Sequence, residues 1–450
     1  MKLNRIITVL LSLGFTASAM SAQNVMTLKD CMRYAVGNSL KVRLQELEVD
    51  DARIARRDAV MQAFTPQISA STYAYSNFGR SVDPETNTYV STTSFNNGYS
   101  VSGGITLFDG FAAVNNMKVA KTALKMGIDQ EHLLKDQICL ATLEAYCNAL
   151  YYGQLAEILQ GQVSTSEKAL ALARRQEELG QKGYADVIGM EAELADRQYQ
   201  LVSARNMHAD AMLTLKDIMF WPMDQELLID DSIASAEVIA TLFPADEKEQ
   251  IIEYAVNNLP SVSIAKAAMD NALVDLRTAK WAFSPSLSLY AGWSTSYYTY
   301  PGMKDYVPIP FHTQFRNNGG EYIQLSLSIP IFDRLSTFST LRRKKNVYSR
   351  ASIQYQQKVR EVEAEVTRAI QDRDGASAEF IQADRRTELQ EEVYHLNSRK
   401  FEQGLISAID FQKASDNWLD AKTARLDALL KFYIRKCVVD YYNGIGYMEQ

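Results

Sequence analysis

The chain has 450 residues, is 47% hydrophobic and carries a formal net charge of −7. Acidic and basic residues are mixed along it with no basic run, which excludes a nucleic-acid binder held by electrostatics. The apolar content suffices for a large core, two domains or two repeats. The acidic balance favours solubility, and in a pore it would bias passage toward cations.

Residues 1–22 read as a secretory signal peptide. Lys2 and Arg5 form the positive end, Ile6 to Phe15 the apolar core, and Ala17, Ser18, Ala19, Ser21 and Ala22 the small-residue cleavage region. The mature chain then starts near Gln23, with no cysteine at the cut to take a lipid anchor. Beyond it no apolar run reaches the ~20 residues of a membrane helix. The mature protein is thus periplasmic, secreted, or an outer-membrane barrel, whose strands give only a weak hydropathy signal.

Next comes a helical stretch, Thr27 to Ala63, that stops before Thr65-Pro66. An alternating segment of about 67–78 follows, then a polar, turn-rich link from Gly79 to Asn97. A second strand, about 98–108, sets Tyr99, Val101, Ile105 and Leu107 against Ser100, Ser102, Gly104 and Thr106. It closes at Phe108-Asp109-Gly110. From Ala112 to Leu179 there is no proline, and apolar residues recur at three and four. A helix of ~67 residues is ~100 Å long, too long for a compact domain and suited to a coiled-coil assembly. After Gly180, Gly183 and Asp186 a further helix runs to Phe220.

This order then repeats. Tyr34-Ala35-Val36-Gly37-Asn38 returns as Tyr254-Ala255-Val256-Asn257-Asn258, and Thr65-Pro66 as Ser284-Pro285. Phe332-Asp333, Gly404 and Asp410 each follow Phe108-Asp109, Gly180 and Asp186 by 224 residues. The chain therefore divides into a first repeat (about 27–220), a linker (about 221–247) and a second repeat (about 248–443). The linker holds Pro222, Pro244 and a candidate short strand at Glu226 to Ile229.

The second repeat's strands, about 286–297 and 321–332, alternate clearly. Ile323, Leu325, Leu327, Ile329 and Ile331 oppose Gln324, Ser326 and Ser328. The polar face lacks Lys and Arg, and aromatics gather at the strand ends, as at a lipid–water interface. About 11 residues per strand cross a tilted bilayer path. Four strands cannot close a barrel, and an open edge in lipid leaves backbone groups unpaired. Several chains must therefore pool their strands: three give 12, and two or four are not excluded by the sequence.

Read together, the duplicated order, Phe332-Asp333 after Ile329-Pro330-Ile331, and Arg399-Lys400-Phe401-Glu402-Gln403-Gly404 leading to Asp410-Phe411 resemble the TolC family of outer-membrane efflux proteins over essentially the whole mature chain. The resemblance implies a mixed α/β membrane protein. In it a trimeric 12-stranded outer-membrane β-barrel, four strands per protomer, continues into a periplasmic α-helical coiled-coil barrel. It implies a homotrimer whose hairpin tips dock a periplasmic adaptor, which links to an inner-membrane transporter of RND or ABC type. By resemblance the tips are Gly180 to Asp186, with Gly183, and Gly404 to Asp410. The glycines permit the turn, and Asp186 and Asp410 would cap the next helices. Asp410, Lys413 and Asp186 are the candidate pore constriction; Lys413, one turn on from Asp410, departs from a doubly acidic ring. Phe401 and Ile406 stand where some members hold a closed state with tyrosine and arginine. A helical surface stalk or adhesin without channel activity is the alternative reading.

Cys31, Cys139, Cys147 and Cys437 form no CxxC and read as buried small residues, with a Cys31–Cys437 bridge as an option. His132, His208, His312 and His395 show no metal spacing, and no P-loop, HExxH or GxSxG occurs. No enzyme chemistry, metal or cofactor is expected.

Overall fold

A computed structural model describes residues 25–82, 87–91, 93–230, 248–301, 303–304 and 306–449. The signal segment 1–22 and most of the linker lie outside the described residues. The chain divides into two compact units. One holds Met1–Arg43, His132–Leu259 and Glu361–Gln450, the other Leu44–Glu131 and Pro260–Arg360.

The helical unit draws on α1 (Leu28–Asn38), α3 (Ala112–Glu178), α4 (Tyr184–Met219), α5 (Lys248–Asn258), α8 (Ser336–Glu402) and α9 (Ala408–Tyr442). Helices α3 and α8 each have 67 residues and begin and end 224 residues apart, so over these helices the duplication holds to the residue. Apolar faces at helical spacing bury themselves in separate clusters. Cys31, Tyr146, Leu150, Leu215 and Met219 form one, and Met32, Cys139, Leu143, Cys147, Leu430 and Cys437 another. All four thiols are free and buried, and Cys31 and Cys437 pack in different clusters, so no bridge joins them. Burial pushes the Cys31, Cys139 and Cys437 thiols up to about 12.

The stretch expected as one helix from Thr27 is two, α1 and α2 (Leu40–Phe64), broken at Ser39. The second repeat breaks at the same place, between α5 and α6 (Pro260–Trp281), where Pro260 has no N–H to continue the ladder. Both breaks are finished alike. Asn38 donates its side-chain amide to the Tyr34 carbonyl at 2.9 Å, and Asn258 does so to Tyr254 at 2.9 Å. The linker strand expected at Glu226 to Ile229 narrows to one parallel bridge, Met26 with Ile229.

The sheet unit holds β1 (Gln67–Asn77), β4 (Ser94–Phe108), β5 (Ser286–Thr299) and β6 (Gly320–Ser328), all antiparallel in the order β1-β4-β5-β6. A hairpin, β2 (Arg80–Val82) with β3 (Tyr89–Ser91), lies in the first link. Strand β4 starts four residues before the expected 98. Strand β6 stops at Ser328 rather than Phe332, because Pro330 interrupts the donors there. The pairing obeys the repeat. Gln67 faces Gly104 and Ser286 faces Ser328, and these residues are counterparts at offsets of 219 and 224.

One face carries Val101, Ile105, Leu289, Trp293 and Leu325. The other is serine and glycine crossed by tyrosines. Tyr73, Tyr290 and Tyr322 lie over Gly98, Gly104 and Gly292, their direct partners on the next strand. A Cβ at any of these glycines would come within 2.4–2.8 Å of the ring. The aromatic girdle expected at the strand ends is thus divided between the faces.

The second link contains α7 (Phe311–Asn317), which the prolines around it concealed. Its Phe311 and Phe315 pack on Tyr99, Trp293 and Tyr297 at 5.4–6.0 Å between ring centroids. Gln314 accepts from the Tyr298 N–H at 3.0 Å and donates to its carbonyl at 2.9 Å. Along β5 it thereby serves the backbone that β6 no longer reaches.

Candidate functional site

The two turns of the helical unit are built alike. At the end of α3, Gly180 has φ +70° and donates to the Glu177 carbonyl, while Gln181 donates to Gln176. At the end of α8, Gly404 has φ +73° and donates to Phe401, while Leu405 donates to Lys400. This double closure satisfies carbonyls that the helix leaves free, and its left-handed residue favours glycine.

The caps correct the sequence expectation. Helices α4 and α9 begin earlier than expected, with Gly183 and Ser407 as cap residues and Asp186 and Asp410 three positions further on. Ser407 Oγ accepts from the Asp410 N–H at 3.1 Å and donates to Asp410 Oδ2 at 2.7 Å. Asp186 Oδ2 accepts from the Gly183 N–H at 3.3 Å. Each carboxylate sits in the first turn, where the helix dipole favours negative charge. The Ser407-x-x-Asp410 spacing was the available signal for this cap. Asp410 and Lys413 are exposed, one turn apart; Asp186 is half-buried.

The turns meet through Lys182. Its Nζ lies 3.9 Å from the centroid of the Phe401 ring, and burial holds its pKa below the usual lysine value. Phe401 in turn stacks on Phe411 at 4.7 Å. Phe401, Ala408, Phe411, Val187 and Met190 share a core against which Ile406 packs. Both residues at the expected lock positions are therefore apolar packing groups. Further along, Arg197 is 5% exposed and donates to Glu193 at 2.6 Å. It also pairs with Asp416 on α9, while Gln412 donates to the other oxygen of Glu193. Neither Lys182 nor this network was identified from the sequence.

In the sheet unit the strand-to-helix turns also match. Asp109 Oδ2 accepts from the Ala113 N–H at 2.8 Å, and Asp333 Oδ2 from the Thr337 N–H at 2.7 Å. Hydrogen bonds from Thr337 hold the Asp333 carboxyl below the usual aspartate value. Two residues after each aspartate pair share positive φ: Gly110 (+67°) and Phe111 (+65°), then Arg334 (+59°) and Leu335 (+64°). Phe108 packs edge-on to Phe111, and Phe111 to Trp281. A Cβ on Gly110 would fall 2.5 Å from the Trp281 carbonyl oxygen. Phe332, its counterpart to Phe108, is 79% exposed in the single chain.

A four-stranded antiparallel sheet leading through paired turns into duplicated long helical hairpins defines a subunit of an outer-membrane channel of the strand-and-helix type. The family model of the outer membrane efflux protein matches residues 33–219 and again 251–435, and the chain belongs to that family. Solved structures share the fold at low identity. CusC, described for changes accompanying folding and transmembrane channel formation, is 16% identical, with 93% of this chain and 92% of that one covered and a TM-score of 0.77. The Campylobacter jejuni outer-membrane channel CmeC is 15% identical, with 94% and 85% covered and a TM-score of 0.72. The Vibrio cholerae outer-membrane protein VceC is 13% identical, with 94% and 96% covered and a TM-score of 0.75. No curated protein sequence matches significantly.

Proposed function

We propose that three copies of this chain form a passive exit duct through the outer membrane, opened at the α3–α4 and α8–α9 turns by a periplasmic adaptor and an inner-membrane transporter. The observation that carries the reading is the sheet's incompleteness. Among the described residues, strand β1 is paired only to β4 and β6 only to β5, so two edges remain, and both faces of each edge strand are largely exposed. In lipid each unpaired backbone group costs several kcal/mol, so further copies must cover the edges. Three copies supply 12 strands, above the practical minimum of about eight.

The sheet's serine- and glycine-rich face suits a water-filled lumen, and its leucine- and isoleucine-rich face suits lipid. The energy for transport comes from the partner, since the duct itself only opens and closes. Asp410, exposed in the first turn of α9, would give a ring of carboxylates that favours cations. Purified protein in planar bilayers tests this. Discrete conductance that rises or loses cation preference in Asp410→Ala supports the duct; a membrane-inserted multimer that never conducts refutes it.

A further inference from the structure

We propose that segment 306–317, which includes α7, is an interfacial anchor that lies against lipid in the outer leaflet, with Val307 and Ile309 at the hydrocarbon boundary and His312 and Arg316 level with the lipid phosphates. The inference rests on the outer-membrane reading of the sheet above and adds a lipid contact made outside the sheet.

The side of the sheet decides first. Tyr99, Trp293 and Tyr297 belong to the same face as Val101, Leu289 and Leu325, because the ladders give them the same parity. Phe311 and Phe315 pack on those three rings. Helix α7 therefore covers the apolar face, and the serine- and glycine-rich face is left open. Height follows from β4. The stretch from Tyr99 to Phe108 is about 30 Å of strand, or about 23 Å of height at a tilt of ~40°. A barrel's apolar band is about 25 Å tall and rimmed by aromatics. Phe108 leads into the strand-to-helix turn at one rim, so α7 lies at the other, the rim away from the helices. A segment held on that outer side does not fold over the mouth of the lumen.

Irregular backbone is tolerated at membrane depth only when the protein itself satisfies it. Strand β6 stops pairing at Gly320, opposite Ser294, while β5 continues to Thr299. Gln314, which is buried, serves the Tyr298 N–H and carbonyl and also donates to the Ile309 carbonyl at 3.0 Å. Asn318 donates to the Ser296 carbonyl at 2.8 Å, and Thr295 Oγ1 to the Phe315 carbonyl at 2.6 Å. Pro308 and Pro310 bring no N–H at all. What the segment turns outward is amphipathic. Val307 is 85% exposed, and Ile309 and Phe311 are exposed beside it. No acid occurs from 306 to 317, and His312 and Arg316 are exposed one turn apart. An apolar edge continuous with a lipid-facing sheet and ending in cations matches the boundary between acyl chains and phosphates.

Depth-resolved fluorescence quenching tests the anchor. Val307→Cys and Leu325→Cys replace exposed side chains, and the four native thiols are buried, so each variant takes a fluorophore at one place. The labelled full-length protein is reconstituted into phosphatidylglycerol–phosphatidylcholine vesicles whose acyl chains carry bromine either near the headgroup or near the bilayer middle. The Leu325 label should lose most emission to the deep bromines and the Val307 label to the shallow ones, and iodide in the water should quench neither. A Val307 label quenched by iodide and by neither bromine, with Leu325 still quenched by bromine, would overturn the anchor and leave the duct standing. A Val307 label quenched most by the deep bromines would overturn its interfacial depth. A Leu325 label that no bromine reaches would overturn the lipid-facing sheet, and the anchor with it.

Discussion

Lys182 and Phe401 bind the two hairpin turns together, the ammonium standing 3.9 Å from the ring centroid with no hydrogen-bond acceptor for its Nζ among the described residues. A partly desolvated cation over an aromatic face contributes about 1 kcal/mol. That contact, added to the apolar core the two turns share, joins them where Phe401 and Ile406 form no polar lock.

Lys182→Met keeps the stem and removes the charge. We expect the variant to conduct more in planar bilayers without any partner, with the open fraction rising about fivefold for the loss of about 1 kcal/mol. An unchanged open fraction would show that the contact does not hold the turns.

Arg197 stands between two acids, and its removal leaves Glu193, 7% exposed, without its cation. Arg197→Ala should destabilise the protein by about 3 kcal/mol in denaturant, as breaking one side of a buried pair does. Arg197→Met combined with Glu193→Leu should recover most of that loss. A double variant as unstable as the single would locate the cost in packing alone.

At the strand-to-helix turns the same backbone is met by different residues. Gly110→Ala should abolish assembly, because the new Cβ collides with the Trp281 carbonyl at a positive φ. Arg334→Gly at the counterpart position should instead raise stability by up to about 1 kcal/mol, relieving a left-handed non-glycine residue. Heat-induced dissociation of the multimer on gels reads both signs.

Asp136 supplies a pH test. Burial raises its carboxyl above the usual 3.8, opposed by a hydrogen bond from Tyr441 and by His132. The folded chain thus holds this proton where the unfolded chain has lost it. Its contribution is fully present below the unfolded pKa and is lost as pH rises through the folded value. Asp136→Asn should raise the melting midpoint at pH 7 and leave it unchanged below pH ~3.8. Equal midpoints at both pH values would contradict the sign.

Thiol labelling checks the helical cores. With Cys31, Cys139 and Cys437 pushed up to about 12 and all four cysteines buried, a maleimide at pH 7 should label none until the protein is denatured.

The sequence made legible what depends on local pattern. Strict alternation from Ile323 to Ser328, the proline stops, and the glycines at 180 and 404 announce strands, breaks and turns through period and backbone preference. The spacing of Phe108-Asp109 and Phe332-Asp333 gave the duplication. What stayed hidden depends on partners far along the chain. Lys182 reads as a surface lysine until Phe401 is brought under it, and Arg197 as a helix-surface charge until Asp416 closes on it. Helix α7 lay unread among prolines, although Phe311 and Phe315 one turn apart carried its signal. The caps fall at Gly183 and Ser407 because Asp186 and Asp410 occupy the third helical position and reach back to the cap residue.

The tyrosine–glycine crossings set an order of events. Each of the three strand pairs of the four-stranded sheet has its own aromatic brace, and none of those braces requires a neighbour. A newly inserted copy can therefore complete its third of the wall alone and meet its sisters as a finished stave. Assembly then becomes the joining of rigid staves, and damage to one brace should slow the making of each stave before it weakens the finished cask.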